Sequence, residues 1–257
     1  MKKLPISVYM ISGPEAHRID RALKSVVEWA SEIVVVLNAE VTDGTEEIAR
    51  AHGAKVFREP WKGFIAQKNS ALSKTSSPWV LGLDCDEVVS SELQREMDSL
   101  FASQPKCAGY TMPRCSYYLQ RWIRHGDWYP DRCLRLWRSS VGTWAGTDPH
   151  ATPRISGEIG KLHGELLHFT SETLNHQVAK TVQYADDFVR HCRDTGRRIT
   201  ILDLAFRPIW RFIRGYILRC GFLDGWQGYS IACFTCFYTF LRYARAREAQ
   251  LDQRPEK

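Results

Sequence analysis

The chain has 257 residues, 44% of them hydrophobic, enough to bury one substantial α/β core with an appendage, and this excludes a disordered chain. Lys and Arg outnumber Asp and Glu by 35 to 29, a net charge of +6 and only a mild bias toward anionic partners.

Ile6–Ile11 is a short apolar run rich in β-branched residues, and Glu15–Trp29 follows with apolar positions at helical spacing. The pair of strand and helix repeats at Ile33–Leu37 and Thr45–His52, then at Ala54–Phe57 and Ile65–Leu72, before a further strand at Trp79–Leu83. Strands and helices alternating at this pace predict a mostly parallel, twisted sheet flanked by helices. Ligands of such sheets bind beyond the carboxyl ends of the strands, so the loops Ser12–Glu15, Asn38–Gly44, Glu59–Gly63 and Asp84–Glu87 are expected to line one crevice. A helix follows near Ser91–Phe101, then Gly109–His168 reads as strands and long loops rich in Trp, Tyr, Gly and Pro, suited to an acceptor-binding face. From Ser171 the pattern is helical, ending in Ile209–Leu218 and Tyr229–Ala246. The expected division is 1–170, with a nucleotide-sugar half 1–104 and an acceptor half 105–170, followed by a helical extension 171–257.

The eight cysteines lack the tight, even spacing of a disulfide framework, and Pro5, Ser7 and Ser12 interrupt any secretory apolar stretch. Reduced, cytosolic thiols are expected. Cys233 and Cys236 have the spacing of half a zinc site, but no second pair follows and their surroundings are apolar, so they read as two helix cysteines.

The strand Trp79–Leu83 runs into Asp84-Cys-Asp86-Glu87, which places two carboxylates one residue apart where an apolar strand meets the predicted crevice. Two hard oxygen ligands there suit Mg²⁺ or Mn²⁺, which would bridge a nucleotide diphosphate and offset the charge of the leaving phosphate. Arg135 and Arg138 alternate with Leu134, Leu136 and Trp137, which reads as a strand with one basic face, turned to phosphate or to water.

The ordered series Ile33-Val-Val-Val36, Thr42-Asp-Gly-Thr45, Gly53-Ala-Lys-Val56, Pro60-Trp-Lys-Gly-Phe64, Gln67-Lys-Asn69 and Trp79-Val-Leu-Gly-Leu-Asp-Cys-Asp-Glu87 resembles family 2 glycosyltransferases. It looks most like the branch with the lipopolysaccharide core β-glucosyltransferases, through Trp122–Asp131, Leu134–Arg138, Leu166–Thr170 and the Arg207–Phe212 tail. The resemblance implies a GT-A fold, an inverting transfer and a nucleotide-sugar donor, UDP-linked, with a lipid-linked glycan as acceptor. It assigns Ser12, Glu15, Asn38, Asp43, Lys68, Asn69 and Asp84 to the donor, and Asp84, Asp86 and His168 to the metal. Three positions depart from the family pattern: Gly13-Pro14-Glu15 stands where Asn-Glu-Glu is usual, Leu37-Asn38 where an Asp ends the strand, and Ala151 where an acidic residue follows the histidine. An inverting transfer needs a base near the acceptor hydroxyl, and Asp148, His150 and Asp131 are the candidates.

Eight arginines between residues 190 and 219 face only Asp194 and Asp203, so the basic excess sits late in the chain. The apolar run Gly228–Leu241 is shorter than the roughly 20 residues of a spanning helix. Arg207, Arg211 and Arg214, set among Trp210, Phe212, Ile213 and Ile217, describe an amphipathic helix whose arginines meet an anionic headgroup layer, the alternative being a helix packed on the core. No nucleic-acid module accompanies this basic stretch. The expected protein is peripheral on the cytoplasmic face of the inner membrane. Two other functions share these features: a transferase loading sugar onto polyprenyl phosphate, and a non-catalytic carbohydrate- or membrane-binding module.

Overall fold

The computed structural model describes residues 3–148, 150–171 and 174–251. Contacts divide the chain into two units, the first 1–114 with 131–168 and the second 115–130 with 169–257. The segment Cys115–Pro130 thus groups with the helices, not with the acceptor half of a cut after residue 170.

The first unit begins with β1 (Leu4–Ser12), α1 (Ile19–Lys24), β2 (Ala30–Asn38), α2 (Thr45–Ala51), β3 (Lys55–Glu59), α3 (Phe64–Ser73) and β4 (Trp79–Gly82). There follow β5 (Glu87–Val89), α4 (Ser91–Ala102), β6 (Gly109–Tyr118), β7 (Arg121–Ile123), β8 (Asp131–Arg138), β9 (Gly142–Thr147), β10 (His150–Ile155), β11 (Ile159–Lys161) and β12 (Leu166–Ser171). The main sheet has the order β3-β2-β1-β4-β8-β6-β12-β5. Its first four strands are parallel, and β8 then pairs antiparallel with both β4 and β6. This is the GT-A type of fold expected: a mostly parallel sheet flanked by helices, with helices at the C-terminal end. The carboxyl ends of β1 to β4 bring Ser12, Asn38, Glu59 and the Asp84 loop to one edge, the position of the crevice in open α/β sheets.

One face of the sheet buries Ile6, Val8, Met10, Leu23, Val35 and Leu81; the other buries Tyr9, Val34, Val36, Val80, Trp137 and Trp144. In the second cluster the Trp144 indole donates to Tyr9 Oη at 2.6 Å, satisfying both polar tips inside the core. Gly82 is required by this arrangement, because a Cβ there would stand 2.8 Å from Tyr9 Oη.

The helix expected over Glu15–Trp29 is only Ile19–Lys24. The Trp29 indole donates to Ser25 O at 2.7 Å, and Val26 N bonds to Leu23 O in the tighter three-residue spacing, so the chain leaves the α-helix as a run of turns.

The opposite edge of the sheet is stapled by Glu32. Its carboxylate accepts from Lys55 Nζ on β3 at 2.7 Å, from Ser7 Oγ on β1 and from Ser76 N before β4 at 2.8 Å. Burial opposes its ionisation, but these donors outweigh that and hold the carboxyl down at about 2.

The second unit holds α5 (Leu174–Asp194), α6 (Ile201–Phe212), a π-helical stretch Ile213–Leu218, a 3₁₀ turn Gly221–Asp224 and α7 (Gly225–Leu251). Thr200 and Asp203 form a capping box that starts α6 eight residues before the helix expected at Ile209. Its small core joins Cys192, Ile199, Tyr243 and Ala246 to Phe188, Val189 and Leu204. Cys233 and Cys236 lie on α7, and every cysteine is a free thiol. Among the described residues no helix is long and apolar enough to cross a membrane.

The arginines of α6 and the stretch after it meet acidic and aromatic partners within this unit. Arg207 pairs with Asp203 and lies 5.4 Å over the Tyr243 ring, while Arg211 and Arg214 approach buried Asp127 at 3.4 and 3.7 Å. A buried carboxylate demands cations, and this demand rotates the helix so that Phe206, Ile209 and Trp210 face solvent.

Glu32→Gln is expected to lower stability at pH 7 by about 1–3 kcal/mol, the usual cost of leaving buried donors without their charged acceptor. Because the folded carboxyl lies below the usual carboxylate range, at about 2, the contribution is complete at pH above that range and fades as pH falls toward about 2. Urea melts of both proteins from pH 7 to pH 2 should converge at the acid end; a gap constant with pH would refute the staple.

Candidate active site

The crevice is built where β4 runs out. Leu83 N still bonds to Tyr9 O, and the chain then turns through Asp84-Cys85-Asp86 into β5, closed by Glu87 N to Asp84 O and Asp84 N to Glu87 Oε2 at 3.0 and 3.1 Å. The two acidic residues of the motif take different surroundings.

Asp84 is held by two cations: Lys68 Nζ meets its Oδ1 at 2.7 Å, and Arg135 Nη2 meets its Oδ2 at 2.6 Å. Arg135 also donates to Glu87 Oε1 at 2.6 Å, and both Arg135 and Glu87 are buried. Burial works against ionised Asp84, but the Arg135 guanidinium and the Lys68 ammonium hold its carboxyl far below the usual carboxylate range. Each of its two oxygens thus meets one protein cation, and the expected metal ligation by Asp84 would use the lone pairs these contacts leave. Lys68 also has its ammonium 4.3 Å over the Trp144 ring. The expected basic face of β8 is corrected, since residues three apart lie on opposite faces of a strand. Arg135 enters the buried cluster, while Arg138 stacks 4.7 Å over Trp79 and donates to Pro105 O.

Asp86 and His168 are brought together. Antiparallel pairing sets His168 on β12 opposite Glu87, and its Nε2 comes within 3.4 Å of Asp86 Oδ2, with Arg18 Nη1 at 3.8 Å from the same oxygen. Burial acts against the Asp86 carboxylate, and His168 with Arg18 still keeps its carboxyl low. Among the described residues no three His, Cys, Asp or Glu side chains converge as a ready-made metal cage. An Asp–His pair is nevertheless a fitting partial shell for Mg²⁺ or Mn²⁺, which take most of their remaining ligands from water and substrate phosphates in nucleotide sites.

The loops after β1 and β2 are tied to each other. Asp43 accepts from Ala16 N at 3.1 Å and from the Thr45 backbone and hydroxyl, while Glu15 N donates to Thr45 Oγ1 at 2.9 Å. The Glu15 carboxylate takes Arg18, at 2.7 Å, which reaches on to Asp86. Ser12 is buried with its hydroxyl donating to Gly13 O, and Asn38 ends β2 with Oδ1 accepting from Glu40 N at 3.4 Å. Cys85 is buried between the two aspartates, and burial pushes its thiol up to about 12, so it is a packing residue and not a nucleophile.

Asn69 is spent on structure: its amide donates to Trp144 O at 2.9 Å and accepts from Trp144 N and Thr143 Oγ1, so α3 carries β9. Asp148, exposed in the turn after β9, accepts from Ile65 N at 3.0 Å and so caps α3 from outside the helix. Gly63 leaves the room for it, since a Cβ there would lie 2.0 Å from Asp148 Oδ2. His150 opens β10 opposite Thr147, and its side chain lies outside the described residues. Asp131 opens β8 and accepts from Arg114 at 2.6 and 2.9 Å; Arg114 in turn lies 3.4 Å from Glu87. A continuous chain of alternating charge thus runs Lys68, Asp84, Arg135, Glu87, Arg114, Asp131. Arg18, Glu87 and Arg114 escaped the sequence reading, although Glu87 directly follows the acidic pair.

Comparison with known proteins places this geometry. An uncharacterized glycosyltransferase of Rickettsia typhi is 32% identical over 99% of this chain and 90% of its own length. The lipopolysaccharide core biosynthesis glycosyltransferase LpsC of Rhizobium meliloti is 27% identical over 97% of each chain. Among solved structures, a mannosyltransferase from Pyrobaculum calidifontis in complex with GDP-Man and Mn²⁺ shares the fold at a TM-score of 0.54, with 14% identity over 99% of this chain and 89% of that one. The model of the family described as Glycosyl transferase family 2 matches residues 7–154, which include the acidic motif and both parallel and antiparallel parts of the sheet. The chain belongs to glycosyl transferase family 2 and is a glycosyltransferase.

Proposed function

We propose that this glycosyltransferase moves a sugar, with inversion, from a UDP-linked donor to a lipopolysaccharide core or related lipid-linked glycan. The observation that carries the reading is the Asp86–His168 pair at the carboxyl end of β4, beside an Asp84 immobilised by Lys68 and Arg135. The full-length similarity to a lipopolysaccharide core enzyme supports the acceptor class. Placement on the cytoplasmic face of the inner membrane goes with that acceptor.

Asp86 and His168 would hold the divalent ion, which supplies charge stabilisation for the departing nucleotide diphosphate. The protein's own contribution is order. Lys68 and Arg135 neutralise Asp84, so Asp86 is the carboxylate of the motif left for a ligand; Ser12, Asn38 and the Asp43-braced loop line the donor end of the crevice. Asp148 takes the proton of the acceptor hydroxyl through the oxygen that α3 does not use. Asp131 is the second candidate, because its ion pair with Arg114 links it to the same charge chain as Asp84.

Release of nucleotide diphosphate from UDP-sugars, followed with lipopolysaccharide core and with polyprenyl phosphate as acceptors, tests the whole reading. Turnover on polyprenyl phosphate alone would move the enzyme to the polyprenyl-sugar class, and no release with any donor, with or without Mn²⁺, would make the chain a binding module.

The two aspartates of the motif should separate in their effects. Asp86→Ala is expected to abolish transfer and Mn²⁺ binding while the melting temperature barely moves. Asp84→Ala should also cost about 1–3 kcal/mol of stability, because it strips a partner from buried Arg135. Equal melting temperatures for both variants would contradict the division of roles. For the base, Asp148→Asn is expected to lower turnover by about 10² with donor affinity unchanged. If Asp131→Asn shows that loss and Asp148→Asn does not, the base is Asp131.

A further inference from the structure

On α6 and the π-helical stretch, Leu202, Phe206, Ile209, Ile213 and Ile217 recur at intervals of three and four residues, which is one face of a helix. In a helix packed on its own core that face would be covered. Here it is open to solvent, with Phe206 at 66% and Ile217 at 54% exposure, and Trp210 stands beside it at 55%. The polar face is turned inward to Asp127. The chain continues the pattern after the turn, where Phe222, Leu223, Trp226 and Tyr229 are exposed while Asp224, Gln227 and Gly228 are buried.

The exposed charge around this face is mostly positive. Arg193 at the end of α5 and Arg197 and Arg198 in the turn that leads into α6 are exposed, as are Arg207 on α6 and Arg219 after the π-helical stretch, and Asp194 is the exposed acid of residues 193–229. A cavity of about 520 Å³ at the start of α6 is lined by Arg193, Arg197, Arg198 and Arg247, with no Asp or Glu in its lining.

We propose that this apolar face, and not the row of α6 arginines, is the surface that enters a membrane: it seats in the outer part of an anionic phospholipid leaflet, and the arginines of the 193–198 turn take the phosphate groups of its headgroups. Apolar area removed from water drives the insertion, the exposed indoles of Trp210 and Trp226 lie at the depth where headgroup and acyl chain meet, and the basic rim selects anionic lipid. A second copy of the chain fits less well, since a two-fold contact would set arginine rim against arginine rim. The proposal deepens the lipid-linked acceptor reading and rests on it only for the choice of a membrane as partner.

The test uses the full chain, without donor or acceptor, and vesicles of phosphatidylethanolamine with phosphatidylglycerol, against pure phosphatidylcholine. Wild type should float with the anionic vesicles, and its tryptophan emission should be quenched by lipids brominated on the acyl chain. Trp210→Phe with Trp226→Phe should remove most of that quenching while flotation persists. Phe206→Ser with Trp210→Ser should weaken binding at least about tenfold, since each bulky side chain transferred is worth roughly a decade. Arg197→Gln with Arg198→Gln should erase the preference for anionic lipid. Arg211→Gln with Arg214→Gln should instead lower the melting temperature, because these residues serve Asp127; circular dichroism confirms that the other variants fold.

Unchanged flotation of folded Phe206→Ser/Trp210→Ser, or no quenching of wild type, would overturn the proposal. So would a wild-type dimer in sedimentation velocity that this variant converts to monomer, which would assign the face to a second copy. Vesicle binding without transfer to any lipid-linked acceptor would end the functional reading and leave this one standing, and transfer in detergent by a chain that ignores vesicles would do the reverse.

Discussion

The site depends on one buried guanidinium. Arg135 is inside the protein between Asp84 and Glu87, and a charge in that position is tolerable only when its partners are held in hydrogen-bond geometry. Its demands propagate outward: Glu87 needs a second cation and meets Arg114, which meets Asp131, while the other oxygen of Asp84 meets Lys68. Three carboxylates and three cations balance. Asp86 stands apart from this balance, with the His168 imidazole and the Arg18 guanidinium at 3.4 and 3.8 Å instead of below 3 Å. The two aspartates of the motif thus differ: the first is held by two cations below 3 Å, and the second has only longer contacts.

The parallel half of the sheet was legible because each of its strands is a short apolar run followed by a helical period, and β1 to β4 fall where those runs lie. What periodicity cannot supply is phase and partner. Arg135 and Arg138 look alike in sequence, yet one is locked into the buried charge chain and the other lies on an indole, because a two-residue repeat puts them on opposite faces. Lys68 and Asn69 were singled out in the sequence, but their contacts, Asp84 in the loop after β4 and the backbone of Trp144 on β9, lie 16 and 75 residues away. The three-residue strand β5 is too short to carry a period, so Glu87 was hidden in what read as a turn.

The same limit explains the helical unit. The spacing of Arg207, Arg211 and Arg214 identified an amphipathic helix, read either with its arginines meeting a headgroup layer or as a helix packed on the core. Asp127 sets its orientation. This carboxylate is 8% exposed and has Arg211, Arg214 and Arg219 within 3.7 Å, so three cations are drawn to one buried anion from a segment 84 or more residues further on. Moving those arginines outward would strand the carboxylate, a cost larger than that of leaving a few leucine-sized side chains in water. The apolar face therefore stays outside, where only another apolar phase can cover it.

The departure at Ala151 has a physical reason in this chain. Ala151 pairs with Gly146 in the β9–β10 hairpin and packs against the cluster of Tyr9, Val80, Trp137 and Trp144. A carboxylate there would lie beside a mostly apolar cluster and would need a partner to keep its charge. Three residues earlier the hairpin turn is exposed, and the one hydrogen bond asked of Asp148, from Ile65 N, occupies a single oxygen. An acid suited to receive a proton needs a free lone pair and access to the acceptor. Of the two positions, 148 carries an exposed carboxylate at the tip of the hairpin and 151 carries none.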